Sequence, residues 1–350
     1  MPAYLELRTT ISPGPSFYRR IHYLAASIAR FGGRLKDFEI VVSVGGNEPR
    51  ENLYRTQSWS KLYPIIWRWV NPDDYARLGY RATNRDRAWH MSRARHVMIV
   101  DSDVIFMTDF SDLLLQIENS PAVCGVMAHF PPFGSKSGVN PFAWWERLFR
   151  EIGLSPPSHM FELSGWKISG NNDYRYSPAY FNGGMVVAPV ELMEELFAFL
   201  PEADDALAVV GEFRHKAQIA RTLAMYKAGV AFRTLPMRYN FPNDPLFDKA
   251  YPDEVNQLRI LHYLRRDIVD RARDFESPAA IRQLVVRTDL VGTNEKLRKL
   301  IAVLEARVAN EEGLRDKAFE SPRPVPRYYD QLARKPGAMI RWLFRSLGRW

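Results

Sequence analysis

Apolar runs of strand length alternate with amphipathic stretches over the first hundred residues of the chain. The pattern predicts a strand at residues 4–10, a helix at 17–31 that ends before two glycines, and a strand at 39–44. Successive strand–helix units of this kind build a largely parallel sheet that is flanked by helices. The predicted fold class is therefore α/β.

A second group of elements leads to two closely spaced acidic residues. A strand is expected at 65–70, followed by a helix that begins at Thr83, as its N-cap, and ends near Arg95. The next strand, His96–Val100, is apolar on both faces, as in the centre of a sheet, and ends at Asp101 and Asp103. Acidic residues thus stand at the carboxyl end of a central strand.

Residues 129–180 break this pattern, because proline, glycine, serine and aromatic residues crowd around a single predicted helix at 141–152. Long irregular insertions of this kind usually serve a function. Regular elements then resume, with a strand at 181–188, helices at 190–200 and 213–227, and a strand at 230–235. Charged helical sequence follows His262, with a proline-rich joint at 321–327. We therefore expect a main domain at 1–265, with the insertion at 129–180, and a helical extension at 266–350.

Composition and charge narrow the classes of partner. The chain has 350 residues and a net charge of +8, which suits a nucleic acid, an anionic membrane or a phosphorylated substrate. Its arginines scatter and then concentrate in the C-terminal helices instead of sharing one surface with aromatic residues, so no nucleic-acid partner is expected. A single cysteine, Cys124, excludes an intrachain disulfide. Since the sequence contains neither a signal-peptide pattern nor an apolar run of about 20 residues, we expect a cytoplasmic protein.

The Asp101-Ser102-Asp103 pattern is a candidate metal site because of where it stands. An Asp-x-Asp pair alone is a weak signal, since roughly one is expected by chance in a chain of this composition. Ligands of open α/β sheets, however, bind beyond the carboxyl ends of the strands, where this pair lies. Mg²⁺ or Mn²⁺ held by two carboxylates keeps coordination positions for phosphate oxygens. The alternative is a solvated turn or helix cap, and the spacing alone leaves both open.

The segments Asn84-Arg85-Asp86-Arg87-Ala88-Trp89 and His96 to Val104 together resemble glycosyltransferase family 8, which includes glycogenin and bacterial lipopolysaccharide galactosyltransferases. The resemblance covers roughly residues 4–263. It implies a GT-A fold with a Rossmann-like mixed sheet, and a metal-dependent hexosyltransferase that uses a nucleoside diphosphate sugar, with UDP favoured. Asp101, Ser102 and Asp103 would bind the donor. Arg85, where the family has lysine, would neutralise the diphosphate, while the role of Arg87 stays open.

Two further segments resemble the same family. Tyr180-Phe181-Asn182-Gly183-Gly184 is similar to the strand beside the transferred sugar, which implies that Asn182 binds sugar hydroxyls and that Gly183 lets the donor approach closely. The alternative is an ordinary turn. Leu258 to Tyr263 is similar to the terminal strand of the family and makes His262 the third metal ligand, although a structural hydrogen-bonding histidine is the alternative.

Other positions match the family only in part. After His262, the family's glycine and lysine are replaced by Leu264-Arg265-Arg266, which suggests that Arg265 or Arg266 neutralises phosphate. Gln218 matches a family position that orients the sugar, whereas Ala217 replaces an aspartate. Gln218, Asn182 and Asp103 are therefore the expected catalytic group, and retention of configuration is favoured, although Ala217 leaves this outcome open.

The nucleoside end of the site is expected at the first strand. Thr9 and Thr10 end that strand where the family contacts the nucleoside, and Tyr18 follows at a distance that would allow it to stack on a base. The alternative for Tyr18 is packing within the helix. Acceptor recognition, of a glycan, a glycolipid or another carbohydrate or lipid-linked acceptor, is expected in 129–180. Stacking on sugar rings or simple packing are the alternatives for its aromatic residues Trp144, Trp145, Trp166 and Tyr174.

Residues 337–350 combine apolar, basic and aromatic positions at helical spacing. Ile340, Leu343, Phe344 and Leu347 share one face, Arg341, Arg345 and Arg349 share the next, and Trp342 and Trp350 flank them. This pattern predicts a helix that lies on an anionic membrane, which would place a cytoplasmic protein at the inner face of a membrane. A helix docked on the catalytic domain or on a dimer partner is the alternative.

Two other functions compete with sugar transfer. A nucleotidyltransferase shares the sheet and the metal site, but residues 9–16 lack the glycine-rich phosphate loop with a basic residue that such enzymes use. A catalytically inactive scaffold that binds a sugar nucleotide is the other candidate, because the family's residues are missing at Ala217 and Leu264.

Overall fold

A computed structural model describes residues 4–31, 37–46, 52–89, 91–133, 140–170, 175–211 and 215–313. These residues fall within one compact unit, Met1–Leu314. Tyr174, the proline-rich joint at 321–327 and the predicted membrane helix at 337–350 lie outside the described residues. Within them, no helix is long and apolar enough to cross a membrane.

The strands include every one that the sequence predicts. They are β1 Leu5–Ile11, β2 Phe38–Val44, β3 Ile65–Trp69, β4 His96–Val100, β5 Val104–Phe106, β6 Val123–Met127, β7 Phe161–Glu162, β8 Tyr176–Ser177, β9 Phe181–Pro189, β10 Phe232–Leu235, β11 Phe241–Pro242 and β12 Ile260–His262. Seven of them form one mixed sheet in the order β10-β6-β9-β4-β1-β2-β3. Strands β5, β6, β7, β8 and β11 are not predicted by the sequence pattern. The predicted α/β class is confirmed.

The helices cover both faces of this sheet. They are α1 Pro15–Phe31, α2 Leu53–Thr56, α3 Pro72–Leu78, α4 Tyr80–Trp89, α5 Ser111–Asn119, α6 Pro141–Glu151, α7 Trp166–Ser169, α8 Val190–Ala198, α9 Leu200–Val210, α10 Lys216–Ala228, α11 Pro245–Ala250, α12 Pro252–Asn256, α13 Pro278–Val286 and α14 Gly292–Gly313. Helix α14 packs against α1 within the compact unit, and the domain boundary at residue 265 stays a prediction.

The strand β4 shows why the sheet lies in the centre of the molecule. All five of its residues are buried, and their side chains alternate between two apolar clusters. Met98 and Val100 belong to the cluster on one face, whereas Val97 and Ile99 belong to the cluster on the other. Because successive side chains of a strand point to opposite faces, an apolar run of this kind requires cover on both sides.

Helix α4 differs from its predicted limits. It begins at Tyr80, three residues before the predicted cap Thr83, and ends at Trp89 instead of near Arg95. Thr83 is fully buried, and its hydroxyl donates to the Tyr80 carbonyl at 2.7 Å, so it lies inside the helix instead of capping it. The earlier start fixes which side chains of α4 face the sheet edge.

Two strand pairings bring distant segments to the end of β4. Strand β9 runs antiparallel to β4, with Val100 opposite Met185, so the beginning of β9 lies at the carboxyl end of β4. Strand β12 runs antiparallel to β5, with His262 opposite Val104. The residues that follow β4, begin β9 and end β12 therefore meet at one edge of the sheet.

Candidate functional site

Asp101, Asp103 and His262 form a compact group at this edge. The His262 Nε2 atom lies 3.3 Å from Asp103 Oδ1 and 3.8 Å from Asp101 Oδ2. Tyr263 N donates to the Asp103 carbonyl at 3.0 Å, which fixes the end of β12 against the Asp-x-Asp turn. One ligand atom from each of the three residues lies within 4.8 Å of the others. The three residues could therefore hold one metal ion.

The state of His262 suits a metal ligand. Its side chain is buried, with 2% exposed, and neither ring nitrogen has a hydrogen-bond partner. Burial lowers the pKa of His262 to about 4, and the nearby Asp101 carboxylate opposes this shift. The imidazole is therefore neutral at physiological pH, with a lone pair available. A neutral imidazole and two carboxylates fit a divalent cation.

Glycine at position 184 makes room for this histidine. A Cβ atom on Gly184 would lie 2.2 Å from His262 Nδ1 and 2.6 Å from Asn240 Oδ1. The Gly184 N–H donates to Asn182 Oδ1 at 2.9 Å, so the Asn182 side chain shapes the start of β9. Asp101 N donates in turn to the Gly184 carbonyl at 3.4 Å. The Asn-Gly-Gly segment thus packs directly beside the Asp-x-Asp turn.

A cavity of about 700 Å³ opens above these carboxylates. Its size is in the range of pockets that enclose small-molecule ligands. The charged groups on its described lining are mostly cationic: Arg20, Arg81, Arg87, Lys216, Arg221, Arg266 and Arg271, against Asp101, Asp103 and Asp204. A cationic cavity beside a metal-ligand group is suited to a phosphorylated ligand.

Arginine 271 already faces the Asp103 carboxylate. Its guanidinium contacts Asp103 directly, and its side chain remains 24% exposed. A cation that binds between Asp103 and His262 would therefore compete with this guanidinium for the same carboxylate. Arg271 lies beyond β12, where Arg266 and Ala272 also line the cavity.

We expect Arg271→Gln to raise the affinity for Mn²⁺ about tenfold when no nucleotide is present, because the competing charge is removed. Titration followed by electron paramagnetic resonance of free Mn²⁺ measures this directly. Arg265→Gln is the matched control, since Arg265 pairs with Asp244 and Asp267 and does not line the cavity. Equal Mn²⁺ affinities for the two variants would contradict the competition.

Two arginines of α4 occupy different places. Arg85, expected at the diphosphate, pairs with Asp204 at 3.3 Å and with Asp205 at 3.7 Å and does not line the cavity. Arg87 lines the cavity, is 4% exposed and lies 3.9 Å from Asp101. Residues two apart on a helix differ by about 200° around its axis, so only one of the pair can face the sheet edge.

Tyr18, the aromatic residue expected to stack on a nucleoside base, does not line the cavity. Tyr18 is buried, with 6% exposed, and its ring packs edge-on against Trp67 at 6.0 Å between centroids. That contact places it in the apolar core. Phe17 lines the cavity instead, with the Arg20 guanidinium 4.0 Å from its ring centroid. Phe17, not Tyr18, thus offers a ring to a ligand.

The threonines of β1 lie behind the cavity wall. Thr9 is fully buried and Thr10 is 2% exposed, and the Thr10 hydroxyl hydrogen-bonds the Tyr80 hydroxyl. Neither threonine lines the cavity, whereas Ser12, Ser16 and Tyr80 do. Thr10 therefore positions Tyr80, whose ring is 48% exposed.

The opposite end of the cavity is formed by β9 and α10. Gly183 and Gln218 both line it, and a Cβ atom on Gly183 would lie 3.0 Å from Gln218 Nε2. Arg221, one helical turn after Gln218, lines the cavity as well. His215 caps α10 with a φ of 58°, a left-handed conformation that is uncommon outside glycine.

In two other predicted groups, the arginines after His262 and the tryptophans of the insertion, at least one residue faces away from the cavity. Arg266 lines the cavity, whereas its neighbour Arg265 faces Asp244 and Asp267. In the insertion, Trp145 is 1% exposed and packs against Tyr180 at 5.6 Å between ring centroids, so its ring is covered by the core.

Solved structures of glycosyltransferases are similar to this fold. No family model and no curated protein matches the chain. The apo structure of the bifunctional glycosyltransferase WbbM shares 15% sequence identity with a TM-score of 0.50, over 89% of this chain and 52% of that chain. The chain therefore spans about half the length of WbbM.

Two other solved structures are similar at lower scores. The galactosyltransferase LgtC, in complex with donor and acceptor sugar analogues, shares 16% identity with a TM-score of 0.48, over 90% of this chain and 98% of that chain. The glycosyltransferase GlyE of Streptococcus pneumoniae TIGR4 shares 14% identity with a TM-score of 0.46, over 91% of this chain and 65% of that chain. With its mixed seven-stranded sheet and its likeness to WbbM, the chain has the GT-A glycosyltransferase fold.

Proposed function

We propose that this protein is a glycosyltransferase that moves a sugar from a nucleoside diphosphate sugar to an acceptor and depends on a divalent cation. The observation that carries the proposal is the group of Asp101, Asp103 and His262 at the base of a cationic cavity of about 700 Å³. A diphosphate is stabilised by a cation that carboxylate oxygens hold and by surrounding positive charge. Mn²⁺ or Mg²⁺ is the proposed cation, and UDP is the proposed nucleoside diphosphate.

Different residues of the cavity would bind different parts of the donor. A bound divalent cation supplies charge neutralisation for the departing diphosphate. Arg20, Arg266 and Arg271 line the cavity from α1 and from the segment after β12, where they can bind phosphate oxygens. Phe17 and Tyr80 offer aromatic surface to the nucleoside. Gly183 and Gln218 stand at the far end, where they can position the sugar.

Retention of configuration is part of the proposal. Position 217, beside Gln218, is alanine and provides no carboxylate nucleophile on the cavity wall. Asp204, which also lines the cavity, is held by Arg81 at 3.6 Å and by Arg85 at 3.3 Å. Retention would therefore proceed within the donor complex, without a covalent sugar–enzyme intermediate.

The acceptor side is proposed at residues 129–180, with a carbohydrate or a lipid-linked acceptor. The membrane contact through residues 337–350 and the cytoplasmic location at the inner face of a membrane also belong to the proposal.

An inactive scaffold that binds a sugar nucleotide is the second candidate, favoured by Ala217 and by the contact between Arg271 and Asp103. Incubation with a panel of nucleoside diphosphate sugars, with Mn²⁺ or with chelator, separates the two. We expect release of free nucleoside diphosphate from at least one donor, dependent on Mn²⁺. Binding without release would favour the scaffold, and failure of every donor to bind would refute both.

A further inference from the structure

Two arginines of the cavity each have a buried guanidinium nitrogen without a hydrogen-bond partner. Arg87 is 4% exposed and Arg221 is 7% exposed, and the Nη1 atom of each has no hydrogen-bond partner. The Asp101 carboxylate lies 3.9 Å from Arg87, and no acidic side chain of the described residues forms an ion pair with Arg221. An uncompensated buried charge is strongly destabilising. Buried cationic side chains of this kind are typical of sites where a ligand supplies the negative charge.

Arg8, a buried arginine outside the cavity, shows how this fold can supply a counter-charge. Arg8 is 1% exposed, pairs with Glu6 at 2.6 Å and donates to the Arg87 carbonyl at 3.0 Å, although its Nη2 atom also has no partner. Arg221 has nothing comparable. Burial, and then the positive charge of Arg87, lower the pKa of Arg221 to about 9, so it is still protonated at neutral pH. Arg87 and Arg221 therefore present two positive charges to the same part of the cavity.

That part of the cavity is the end away from the nucleoside. Gln218 and Arg221 stand one turn apart on α10, and Gln218 faces Gly183 at the start of β9. Phe17 and Arg20 of α1, which follows β1, line the other end, and the sheet order β9-β4-β1 places Asp101, at the end of β4, between the two. Arg20, Arg266 and Arg271 line the cavity as well and are available to a diphosphate that binds at Asp101 and Asp103. Arg87 and Arg221 are thus available to bind the sugar.

We propose that the transferred sugar carries a carboxylate, as a hexuronic acid does, and that Arg87 and Arg221 bind it. This inference rests on the proposed function, since it assumes that a nucleoside diphosphate sugar occupies the cavity. Guanidinium groups bind carboxylates through short, charge-assisted hydrogen bonds. A neutral hexose would leave Arg221 without an ion pair and Arg87 with only the Asp101 carboxylate at 3.9 Å. Sites built for a polar group discriminate strongly against ligands that lack it.

Calorimetric titration with UDP, UDP-glucose, UDP-glucuronate and UDP-galacturonate in the presence of Mn²⁺ tests the proposal on the wild-type protein. We expect one of the two uronates to bind roughly tenfold to a hundredfold more tightly than UDP-glucose. Equal affinities for the uronates and UDP-glucose would overturn the inference and leave the proposed function intact. Failure of UDP and of every UDP-sugar to bind would overturn both.

Variants of Arg221 test whether this residue causes the preference for a uronate donor. Arg221→Met should reduce uronate affinity to that of UDP-glucose, while Arg221→Lys, which keeps the charge, should retain part of the preference. Arg221→Met removes an unpaired buried charge, so its thermal stability without ligand should equal or exceed that of the wild type. A uronate preference that survives in Arg221→Met would overturn the assignment.

The anion could also come from the acceptor, and a further titration separates the sources. If UDP together with free glucuronate or inorganic phosphate binds as tightly as UDP-glucuronate, the two arginines serve an acceptor anion and the donor assignment is wrong. We expect the covalently linked uronate to bind far more tightly than the separate components, because its carboxylate is held at high effective concentration.

Discussion

Asp103→Asn is expected to reduce metal-dependent release of nucleoside diphosphate by about a thousandfold. Asp103 is 3% exposed, and its carboxylate lies 3.3 Å from His262 Nε2, so it is the most enclosed oxygen ligand of the group. Asparagine keeps the shape of the side chain but removes the charge that holds a cation against the diphosphate. The loss of about 4 kcal/mol of charge stabilisation in an enclosed site corresponds to this factor.

Initial rates across a Mn²⁺ titration, together with direct measurement of Mn²⁺ binding, distinguish loss of the cation from loss of the fold. Asp109→Asn is the matched control, because Asp109 is exposed and caps the turn before α5 by accepting from Ser111 N at 2.8 Å. An asparagine can accept the same hydrogen bond. If Asp103→Asn retained wild-type rates in Mn²⁺, the proposed metal site would be wrong.

The elements that carry the metal-ligand group could be predicted because their signals are local. Strand β4 is a short apolar run that is buried on both faces, and the limits predicted for it agree with the structure. Asp101 and Asp103 follow directly from its end. His262 was placed by resemblance to a family, and the pairing of β12 with β5 brings it to the two aspartates. A residue that directly follows a strand with a clear hydrophobic pattern can be placed in the fold from the position of that strand.

Residues on helices were harder to assign, because a helix changes the direction of its side chains with every residue. Tyr18 and Phe17 are neighbours in α1, yet only Phe17 faces the cavity. Arg85 and Arg87 of α4 differ in the same way. Which of the two faces the ligand depends on the rotation of the helix about its axis, and that rotation is set by packing against the sheet. The sequence pattern did not resolve it.

Two cavity cations that come from distant segments carried no local signal. Arg20 lies on α1 and Arg271 beyond β12, and each lies among other charged or polar residues in the sequence. A surface arginine and a cavity arginine look alike until tertiary packing brings them together. Arg221 alone offered a hint, because it lies in α10 within a run of residues that are mostly buried.

Gly184→Ala is expected to lower the affinity for Mn²⁺ by about tenfold to a hundredfold and to destabilise the fold by about 1–3 kcal/mol. The added methyl would lie 2.2 Å from His262 Nδ1 and 2.6 Å from Asn240 Oδ1. His262 is 2% exposed and Asn240 is fully buried, so neither side chain can move away without disturbing the core. The imidazole must shift, and the metal-ligand group loses its third member.

Gly183→Ala provides the matched control for this effect. Its methyl would meet only the Gln218 side chain, at 3.0 Å from Nε2 and 3.2 Å from Cγ, and a flexible glutamine can yield. Thermal unfolding and Mn²⁺ titration of both variants measure the two consequences separately. Since the metal ligands themselves are untouched in both, a selective loss of Mn²⁺ affinity in Gly184→Ala would tie the glycine to the position of His262. Unchanged Mn²⁺ affinity in Gly184→Ala would show that His262 does not hold the cation.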